Sequence, residues 1–447
     1  SSCRFAKDYS LDKLISSSDE RHSFINDVLY WEGNFHQHLI GVNTLSGYTY
    51  DGHAINYTTG ELAAPLHNFS APSKESIHLG MLALALLDKT STGFDASIFF
   101  HVPLNGTSGG GSPLDNIITI LTNKITTYEA FNKQFPGYGG FMPWVGVNDT
   151  GVYPLPGAWS ISVPGLDNGE MIWGMYAVVQ ALEMKAASSA GSSSQSVYTE
   201  LAQRYQAYLD LLANNAKMIF YTQPGYINSV THINDIYSQP TPSNYANNCN
   251  CFLDDPYEGE MLTVFMDLFC EWANDTERDQ LWVNKRPLLQ STTFQAPEGE
   301  ITVQRGWWFS SHEQWKYLML PYQDVDINRR VFENGERART SFSSMHGYPG
   351  LFASCNNISS VDSYVYNYFS ANGIQEIAFE TVLSNDVMTP YGSFPLFLVQ
   401  DVDLLHGTAW YYNMISAPAM QNQYGSTEAG NNQGSEISPL VTWDSKS

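Results

Sequence analysis

Four carboxylic acids occur within seven residues just before an apolar segment, and these residue types suit acid–base chemistry. They are Asp254, Asp255, Glu258 and Glu260. A helix beginning here would use Asp255 as its N-cap, Pro256 at its first position and Glu258 to close a capping box. Glu260 then leads into the apolar residues 261–266, where most side chains should be buried. Because burial raises the pKa of a carboxyl group, Glu260 is a candidate general acid, although helix N-termini favour acidic residues in any case.

A second acidic segment, with Asp167 and Glu170, precedes the apolar residues 171–182. The Gly-Glu-Met order around Glu170 repeats the order around Glu260. If equivalent helices were arranged around a ring, their N-terminal ends would meet at one face and both acidic groups would line a shared cleft. The alternative is that Asp167 and Glu170 only form a capping box.

Aromatic side chains are the candidates for binding a sugar. Tyr138 and Trp144 lie among glycines in residues 132–168, a loop whose length is typical of functional loops. A second group would make a sugar platform, or would equally serve as core packing. Its members are Trp307, Trp308, His312 and Glu313.

The elements that would position these residues are helices. The sequence shows roughly ten to twelve helical segments and no βαβ pattern. Segments that are apolar on all sides alternate with segments that are apolar on one face. Residues 77–87 are typical of a buried inner helix, whereas residues 114–131 and 197–221 are typical of outer helices. We predict an all-α fold, an (α/α)6 barrel with long loops, formed by residues 1–447 as a single catalytic domain.

Further segments complete this prediction. Residues 11–31 indicate one bent helix or two short ones, and residues 291–304 alternate like a β-hairpin. Two more inner helical segments are expected, around residues 306–315 and 372–383, and residues 395–399 begin the last apolar run.

The charge balance limits the partners. Lys and Arg number 21 against 45 Asp and Glu, which gives a formal net charge of −24. Nucleic acids, anionic membrane surfaces and polyanionic substrates are therefore disfavoured. Aromatic residues make up 14% of the chain and charged residues only 15%, a balance that suits stacking on neutral sugars.

No motif indicates a cofactor or a metal. Dinucleotide, nucleoside triphosphate, serine-hydrolase and zincin motifs are absent from the sequence. His36 and His38 have no third ligand at a suitable spacing, and Cys249 and Cys251 have no second cysteine pair that would complete a zinc site. Disulfide bonds are favoured over metal binding, with at least one of the five cysteines left unpaired.

Glycosylation sequons indicate a secreted glycoprotein. They begin at Asn56, Asn68, Asn105, Asn148, Asn274 and Asn357. The sequence contains neither a signal peptide nor about twenty consecutive apolar residues, so we expect a soluble extracellular monomer whose leader has been removed.

Three short segments together resemble the fungal endo-β-1,2-glucanases, and the similarity extends over nearly the whole chain. They are residues 167–170 (Asp-Asn-Gly-Glu), 257–261 (Tyr-Glu-Gly-Glu-Met) and 442–444 (Thr-Trp-Asp). The resemblance implies an (α/α)6 glycoside hydrolase that cleaves linear β-1,2-glucan internally, with inversion, and releases sophoro-oligosaccharides. Glu260 matches the general acid of that family, and Asp444 matches its general base. Asp167 and Glu170 are implied to position substrate or water.

Two other functions use the same features. A carbohydrate-binding protein without catalysis would need only the aromatic residues. A polysaccharide lyase could also be built on a helical toroid, but it would act on uronates, and the acidic charge of the chain disfavours an anionic polymer as substrate.

Overall fold

The computed structural model describes residues 5–87, 93–104, 111–356, 368–399, 403–439 and 445–446. Within these ranges helices are the dominant regular structure, as predicted. The α-helices are α1 (Leu11–Ser16), α2 (Ser18–Gly33), α3 (Pro72–Leu86), α4 (Pro113–Gln134), α5 (Gly165–Ser188), α6 (Gln195–Phe220), α7 (Glu260–Phe269), α8 (Asp275–Lys285), α9 (Trp315–Met319), α10 (Asp326–Met345) and α11 (Leu405–Ile415).

Short strands, which the sequence analysis did not predict apart from one hairpin, form small antiparallel sheets of two or three strands. They are β1 (Gly52–Ile55), β2 (Leu62–His67), β3 (Phe69–Ser70), β4 (Val145–Asn148), β5 (Gly151–Pro154), β6 (Ser162–Pro164), β7 (Val230–Ile233), β8 (Tyr245–Ala246), β9 (Ser291–Ala296), β10 (Gly299–Gln304), β11 (Cys355–Asn356), β12 (Tyr368–Phe369), β13 (Val387–Met388), β14 (Gln421–Asn422), β15 (Gly425–Ser426), β16 (Gly430–Gln433), β17 (Glu436–Pro439) and β18 (Ser445–Lys446).

The chain divides into two compact units, and each is discontinuous in sequence. The terminal unit comprises residues 1–35, 52–67 and 289–447, and the central unit comprises residues 36–51 and 68–288. Helices α3 to α8 belong to the central unit, and the other helices belong to the terminal unit.

In the central unit, α3 and α5 pack closely against each other. A Cβ atom on Gly174 would lie 2.7 Å from the carbonyl oxygen of Ser76, so glycine permits this approach of the two backbones. The inner helix predicted at residues 77–87 lies within α3, most of which is buried. Helix α4 matches the outer helix predicted at residues 114–131, and a capping box between Ser112 and Asp115 fixes its start.

A fully buried ion pair connects α3 with α4. Lys124 Nζ donates to Glu75 Oε2, and the hydroxyl of Tyr128 donates to the same oxygen over 2.6 Å. The backbone N–H of Thr49 donates to the other oxygen, Glu75 Oε1, over 3.2 Å. Removing one partner of such a pair leaves a buried charge uncompensated, which typically destabilises a protein by about 3–5 kcal/mol.

In the terminal unit, α1, α2 and α11 share an apolar cluster that includes Leu14, Phe24 and Tyr411. The break between α1 and α2 confirms the alternative of two short helices in residues 11–31. The predicted hairpin at residues 291–304 is confirmed as β9 and β10, which pair from Ala296 opposite Gly299 outward.

Two inner helices expected in the terminal unit do not form as predicted. Residues 306–310 are irregular and are followed by the 3₁₀ turn Ser311–Gln314 and the short helix α9. Residues 372–383 contain only the 3₁₀ turn Gln375–Ile377. The apolar run at residues 395–399 belongs to the 3₁₀ segment Pro390–Leu398, in which a second proline, Pro395, prevents a regular α-helix. None of the helices that the structure describes is long and apolar enough to cross a membrane.

Candidate active site

Helix α7 begins at Glu260 itself, later than the sequence analysis predicted. Asp255 Oδ1 accepts hydrogen bonds from the backbone N–H groups of Tyr257, over 2.6 Å, and Gly259, over 3.4 Å. Asp255 therefore stabilises a separate turn over residues 256–259 and is not the N-cap of the helix, a position held by Gly259. The capping box predicted for Asp255 and Glu258 is wrong for the same reason.

This start places Glu260 at the first position of α7, with its side chain inside the protein. Glu260 is 4% exposed, and its backbone N–H donates to the carbonyl oxygen of Tyr257 over 3.0 Å. The apolar residues that follow, including Met261, Leu262 and Phe265, are buried as predicted. Glu260 is thus a buried acid at a helix N-terminus, where the dipole favours negative charge.

Helix α5 begins earlier than predicted, at Gly165, and its two acids do not form a capping box. Asp167 lies in the first turn, and its Oδ2 accepts a hydrogen bond from Trp144 Nε1 over 2.9 Å. Glu170 is 1% exposed and hydrogen-bonds to the side chain of Glu258. These contacts point both acids away from the backbone N–H groups that a capping box would use.

The acidic ends of α5 and α7 lie against each other. A Cβ atom on Gly169 would lie 2.7 Å from the backbone nitrogen of Leu262, and Trp173 Nε1 donates to the carbonyl oxygen of Met261 over 2.9 Å. The two Gly-Glu-Met segments are therefore in contact, as expected, and Glu170 meets Glu258 of the turn before α7, whereas a cleft shared by Glu170 and Glu260 stays a prediction. Close packing at the glycine of the first segment makes this approach possible.

Burial controls the protonation of the two acids of α5, Asp167 and Glu170. The pKa of Glu170 is raised well above its ordinary value, first by burial and then by the negative charge of Asp167, while the hydrogen bond with Glu258 opposes the rise. The pKa of Asp167 is also raised by burial, although its hydrogen bond from Trp144 and the charge of Lys74 oppose this. Glu170 therefore holds its proton at pH values where an ordinary glutamic acid has lost it.

We expect the Glu170→Gln variant to have an unfolding free energy that depends less on pH. The folded protein keeps the Glu170 proton at pH values where the unfolded chain, with an ordinary pKa near 4.5, has lost it. Unfolding then releases a proton and becomes easier as the pH rises, by at most about 1.4 kcal/mol per pH unit. The glutamine amide is uncharged and does not titrate in this pH range. Urea unfolding at about pH 5, 6 and 7 tests this, and parallel pH slopes for the two proteins would contradict it.

Two tryptophans form a platform beside Asp167. The rings of Trp144 and Trp159 are stacked, with centroids 4.5 Å apart and planes 17° apart, and both side chains are partly exposed. Trp144 was predicted as a substrate-binding residue, whereas Trp159 was missed. The signal for Trp159 was its position in the same long loop, behind a Pro-Gly pair.

Tyr138 is a correction to the predicted sugar-binding set. Its side chain is fully buried, its ring packs against Phe131 and Phe135, and its hydroxyl donates to the carbonyl oxygen of Ser160. Tyr138 therefore packs between the end of α4 and the loop that follows it. Its ring has no exposed face on which a sugar could stack.

The terminal unit contains the second aromatic group. Trp307, Trp308 and His312 are partly exposed, and the rings of Trp308 and His312 lie 6.2 Å apart. His312 Nδ1 hydrogen-bonds to Ser354 Oγ over 3.0 Å. Burial, with the charge of Arg339, lowers the pKa of His312 to about 3, so its ring is neutral at ordinary pH.

Glu313, predicted beside these residues as a sugar contact, is a second correction. It is fully buried, and its carboxylate accepts hydrogen bonds from the backbone N–H groups of Trp307, over 2.7 Å, Trp308, over 3.2 Å, and Ser310, over 2.7 Å. Glu313 thus holds the irregular segment in place. These three bonds replace the helical bonds that the sequence analysis expected there.

Comparison with known proteins decides the family. The sequence profile described as endo-β-1,2-glucanase SGL matches residues 48–447. This chain belongs to that family. Its resemblance to endo-β-1,2-glucanases is therefore confirmed, and the chain is a glycoside hydrolase. No curated protein matches it in a sequence search.

Two solved structures resemble this glucanase-family chain over almost its whole length. Both are endo-β-1,2-glucanases from Talaromyces funiculosus, one a glutamate-to-glutamine mutant in complex with β-1,2-glucan and the other in complex with sophorose. Each is 38% identical, has a TM-score of 0.85, and is matched over 99% of this chain and 86% of its own.

Asp444, the residue matched to the family's general base, lies outside the described residues, as do the sequons at Asn105 and Asn357. The adjacent strand β18 pairs antiparallel with β1 in the terminal unit, with Lys446 opposite His53. The chain therefore re-enters a sheet directly after Asp444, which is not what a frayed end would do.

The remaining predictions for this glucanase-family chain concern disulfide bonds and metal binding. Cys249 and Cys251 form a disulfide bond, and Cys270 and Cys355 are free thiols. Within the described ranges, no three His, Cys, Asp or Glu side chains are grouped so that they could hold a metal ion.

Proposed function

We propose that this protein hydrolyses β-1,2-glucan at internal linkages and releases sophoro-oligosaccharides with inversion of the anomeric carbon. The observation that carries the proposal is Glu260, a buried acid at the start of α7, which packs against the start of α5, in a chain of the endo-β-1,2-glucanase family. The complexes of the two relatives with β-1,2-glucan and sophorose support this substrate class. A neutral glucan also agrees with a net charge of −24.

In the proposed mechanism, Glu260 protonates the glycosidic oxygen as the bond breaks, and Asp444 removes a proton from the attacking water. Inverting hydrolases place their two carboxyl groups about 6.5–9.5 Å apart, which leaves space for that water. The proton reaches the leaving hydroxyl from one side of the sugar while water attacks from the other, so no covalent intermediate forms. The relative bound to β-1,2-glucan carries a glutamate-to-glutamine change, in agreement with a substrate complex that persists once an acid is removed.

The acids of α5 take supporting roles in this proposal. Oε2 of Glu170 has no hydrogen-bond partner among the described residues, so it is available to a water molecule or a sugar hydroxyl. Because Glu170 is protonated more readily than an ordinary carboxylic acid, it suits positioning and not proton removal. Asp167 fixes the indole of Trp144, and Trp144 then offers its ring to the substrate.

The aromatic residues complete the substrate-binding set. We assign Trp144, Trp307, Trp308 and His312 to it because all four are partly exposed. Aromatic rings stack on the apolar faces of glucose units, and a neutral imidazole can both donate and accept a hydrogen bond with a sugar hydroxyl. No cofactor or metal is needed for this chemistry.

The proposed architecture is an (α/α)6 barrel that forms one catalytic domain over residues 1–447. The apolar helices α3, α5 and α7 suit an inner ring, and the one-faced helices α4 and α6 suit an outer ring. The family profile extends over residues of both compact units, which supports a single functional domain.

We also propose that the protein is a secreted monomeric glycoprotein. Four of its sequon asparagines are described, and all four are exposed: Asn56, Asn68, Asn148 and Asn274. The disulfide bond between Cys249 and Cys251 agrees with an oxidising compartment. The mass of the secreted protein before and after enzymatic glycan removal tests this, and an unchanged mass would contradict it.

A linkage panel tests the proposed function. We expect reducing ends to appear from β-1,2-glucan and not from β-1,3-, β-1,4- or β-1,6-glucans, with oligosaccharides of several lengths as early products. Binding of β-1,2-glucan without any product after prolonged incubation would instead show a carbohydrate-binding protein. An unsaturated product that absorbs ultraviolet light, formed from a uronate polymer, would show a lyase.

A further inference from the structure

A buried lysine holds the turn that precedes Glu260. Lys285 is the last residue of α8, and its ammonium group donates hydrogen bonds to three backbone carbonyl oxygens. They belong to Leu253 over 2.7 Å, Asp255 over 2.9 Å and Gly259 over 3.3 Å. One cation thereby connects both ends of the segment that leads into α7.

The carbonyl of Gly259 is the important partner because it belongs to the peptide bond that joins Gly259 to Glu260. Any rotation of this peptide changes the direction in which the Glu260 side chain leaves the backbone. The same turn is also held from within by Asp255, which accepts the N–H groups of Tyr257 and Gly259. Lys285 and Asp255 therefore restrain the carbonyl and the N–H groups of one turn.

The burial of Lys285 shows that its position has an energetic cost. Its side chain is only 5% exposed, and removing an ammonium group from water is unfavourable unless hydrogen bonds or opposite charges replace the lost hydration. An apolar side chain of equal length would fill the same space without that penalty. Such an apolar side chain could not donate hydrogen bonds to the three carbonyl groups.

We propose that Lys285 is a positioning residue, which fixes the turn before α7 and thereby the direction in which the Glu260 carboxyl group delivers its proton. The proposal rests on the proposed function, since it takes Glu260 to be the general acid. A displacement of about 1 Å in a catalytic group can lower the rate about 10²-fold. Losing the ammonium group should therefore lower kcat while substrate affinity is largely kept.

The test compares Lys285→Met, which keeps the length of the side chain but removes its donors, with Lys285→Arg, which keeps charge and donors. On β-1,2-glucan we expect Lys285→Met to lower kcat about 10- to 100-fold with KM changed by less than about threefold. Lys285→Arg should recover part of the lost kcat. If Lys285→Met does not fold, Lys285→Gln, whose shorter side chain cannot donate to all three carbonyl oxygens, is measured in its place with the same expectation.

The matched control is the double variant Glu75→Gln/Lys124→Met. It also replaces a buried lysine of the central unit by methionine, but the ion pair that it removes hydrogen-bonds to Thr49 and Tyr128, which lie outside the turn before α7. This control should lower the urea midpoint and leave kcat within about twofold. A loss of kcat equal to that of Lys285→Met would show that instability alone explains the effect.

Two outcomes would separate this inference from the proposed function. If Glu260→Gln is inactive and Lys285→Met, or Lys285→Gln in its place, keeps full kcat, the positioning role of Lys285 is wrong and the acid assignment stands. If Glu260→Gln keeps its activity, the assignment of the general acid itself fails. A rise in KM with unchanged kcat in Lys285→Met would place Lys285 in substrate binding, which also contradicts the inference.

Discussion

Replacing Glu260 by glutamine is expected to lower kcat on β-1,2-glucan by about 10²–10⁴-fold. Glutamine has the size and shape of the glutamic acid but cannot transfer a proton to the glycosidic oxygen. The leaving group is a sugar hydroxyl, which departs poorly as an alkoxide, so the missing proton should affect the bond-breaking step. KM should stay within a few-fold, because the amide retains the capacity to hydrogen-bond to the substrate.

Two controls make this result specific. Glu183→Gln changes an exposed glutamate near the far end of α5 and should leave kcat unaltered. The urea midpoint of Glu260→Gln should stay close to that of the unaltered protein, because a neutral amide is easier to bury than a carboxylate. If Glu260→Gln retains its rate within a few-fold, the acid lies elsewhere, and Glu258 would be tested next.

Replacing Asp444 by asparagine should lower kcat by a similar factor, about 10²–10⁴-fold. In an inverting reaction, water must lose a proton as it attacks, and asparagine cannot accept that proton. Azide is already an anion and needs no base, so adding azide should restore part of the rate and yield a glycosyl azide of inverted configuration. Product analysis by nuclear magnetic resonance would identify this compound.

The control for Asp444→Asn is Asp324→Asn, which changes an exposed aspartate of the terminal unit. It should leave both the rate and the azide response unchanged. An azide product of retained configuration from Asp444→Asn would contradict the inverting mechanism. A rate within a few-fold of the unaltered protein would remove Asp444 from the catalytic pair.

The sequence predicted those parts of the fold that local patterns determine. The buried helix α3, the one-faced helices α4 and α6 and the hairpin of β9 and β10 follow from hydrophobic periodicity. The contact between the starts of α5 and α7 was expected from the repeated Gly-Glu-Met order. Where these patterns are strong, the prediction and the structure agree.

Other features depend on contacts that sequence patterns do not reveal. Asp255 forms its own turn and so delays the start of α7, and Glu313 accepts three backbone N–H groups where a helix was expected. Lys285 was missed because three of its partners are carbonyl groups, which every residue has. Tyr138 was misassigned since an aromatic residue in a glycine-rich loop can face either the core or a ligand.

The assignment of Asp444 shows a different limit. No local pattern marks Asp444 as catalytic, and only the resemblance to the glucanase family indicated a base there. The pairing of β18 with β1 shows that the chain just beyond Asp444 forms part of a sheet. This contact is between residues almost 400 positions apart, so no local pattern could predict it.

The role of Glu260 as general acid can be measured directly with two substrates that differ in leaving group. A dinitrophenyl β-sophoroside releases an acidic phenol and needs little protonation, whereas β-1,2-glucan releases a sugar hydroxyl. We predict that Glu260→Gln is slowed about 10²–10⁴-fold on the glucan but less than about tenfold on the aryl glycoside. An equal loss of rate on both substrates would contradict the assignment of Glu260 as the acid.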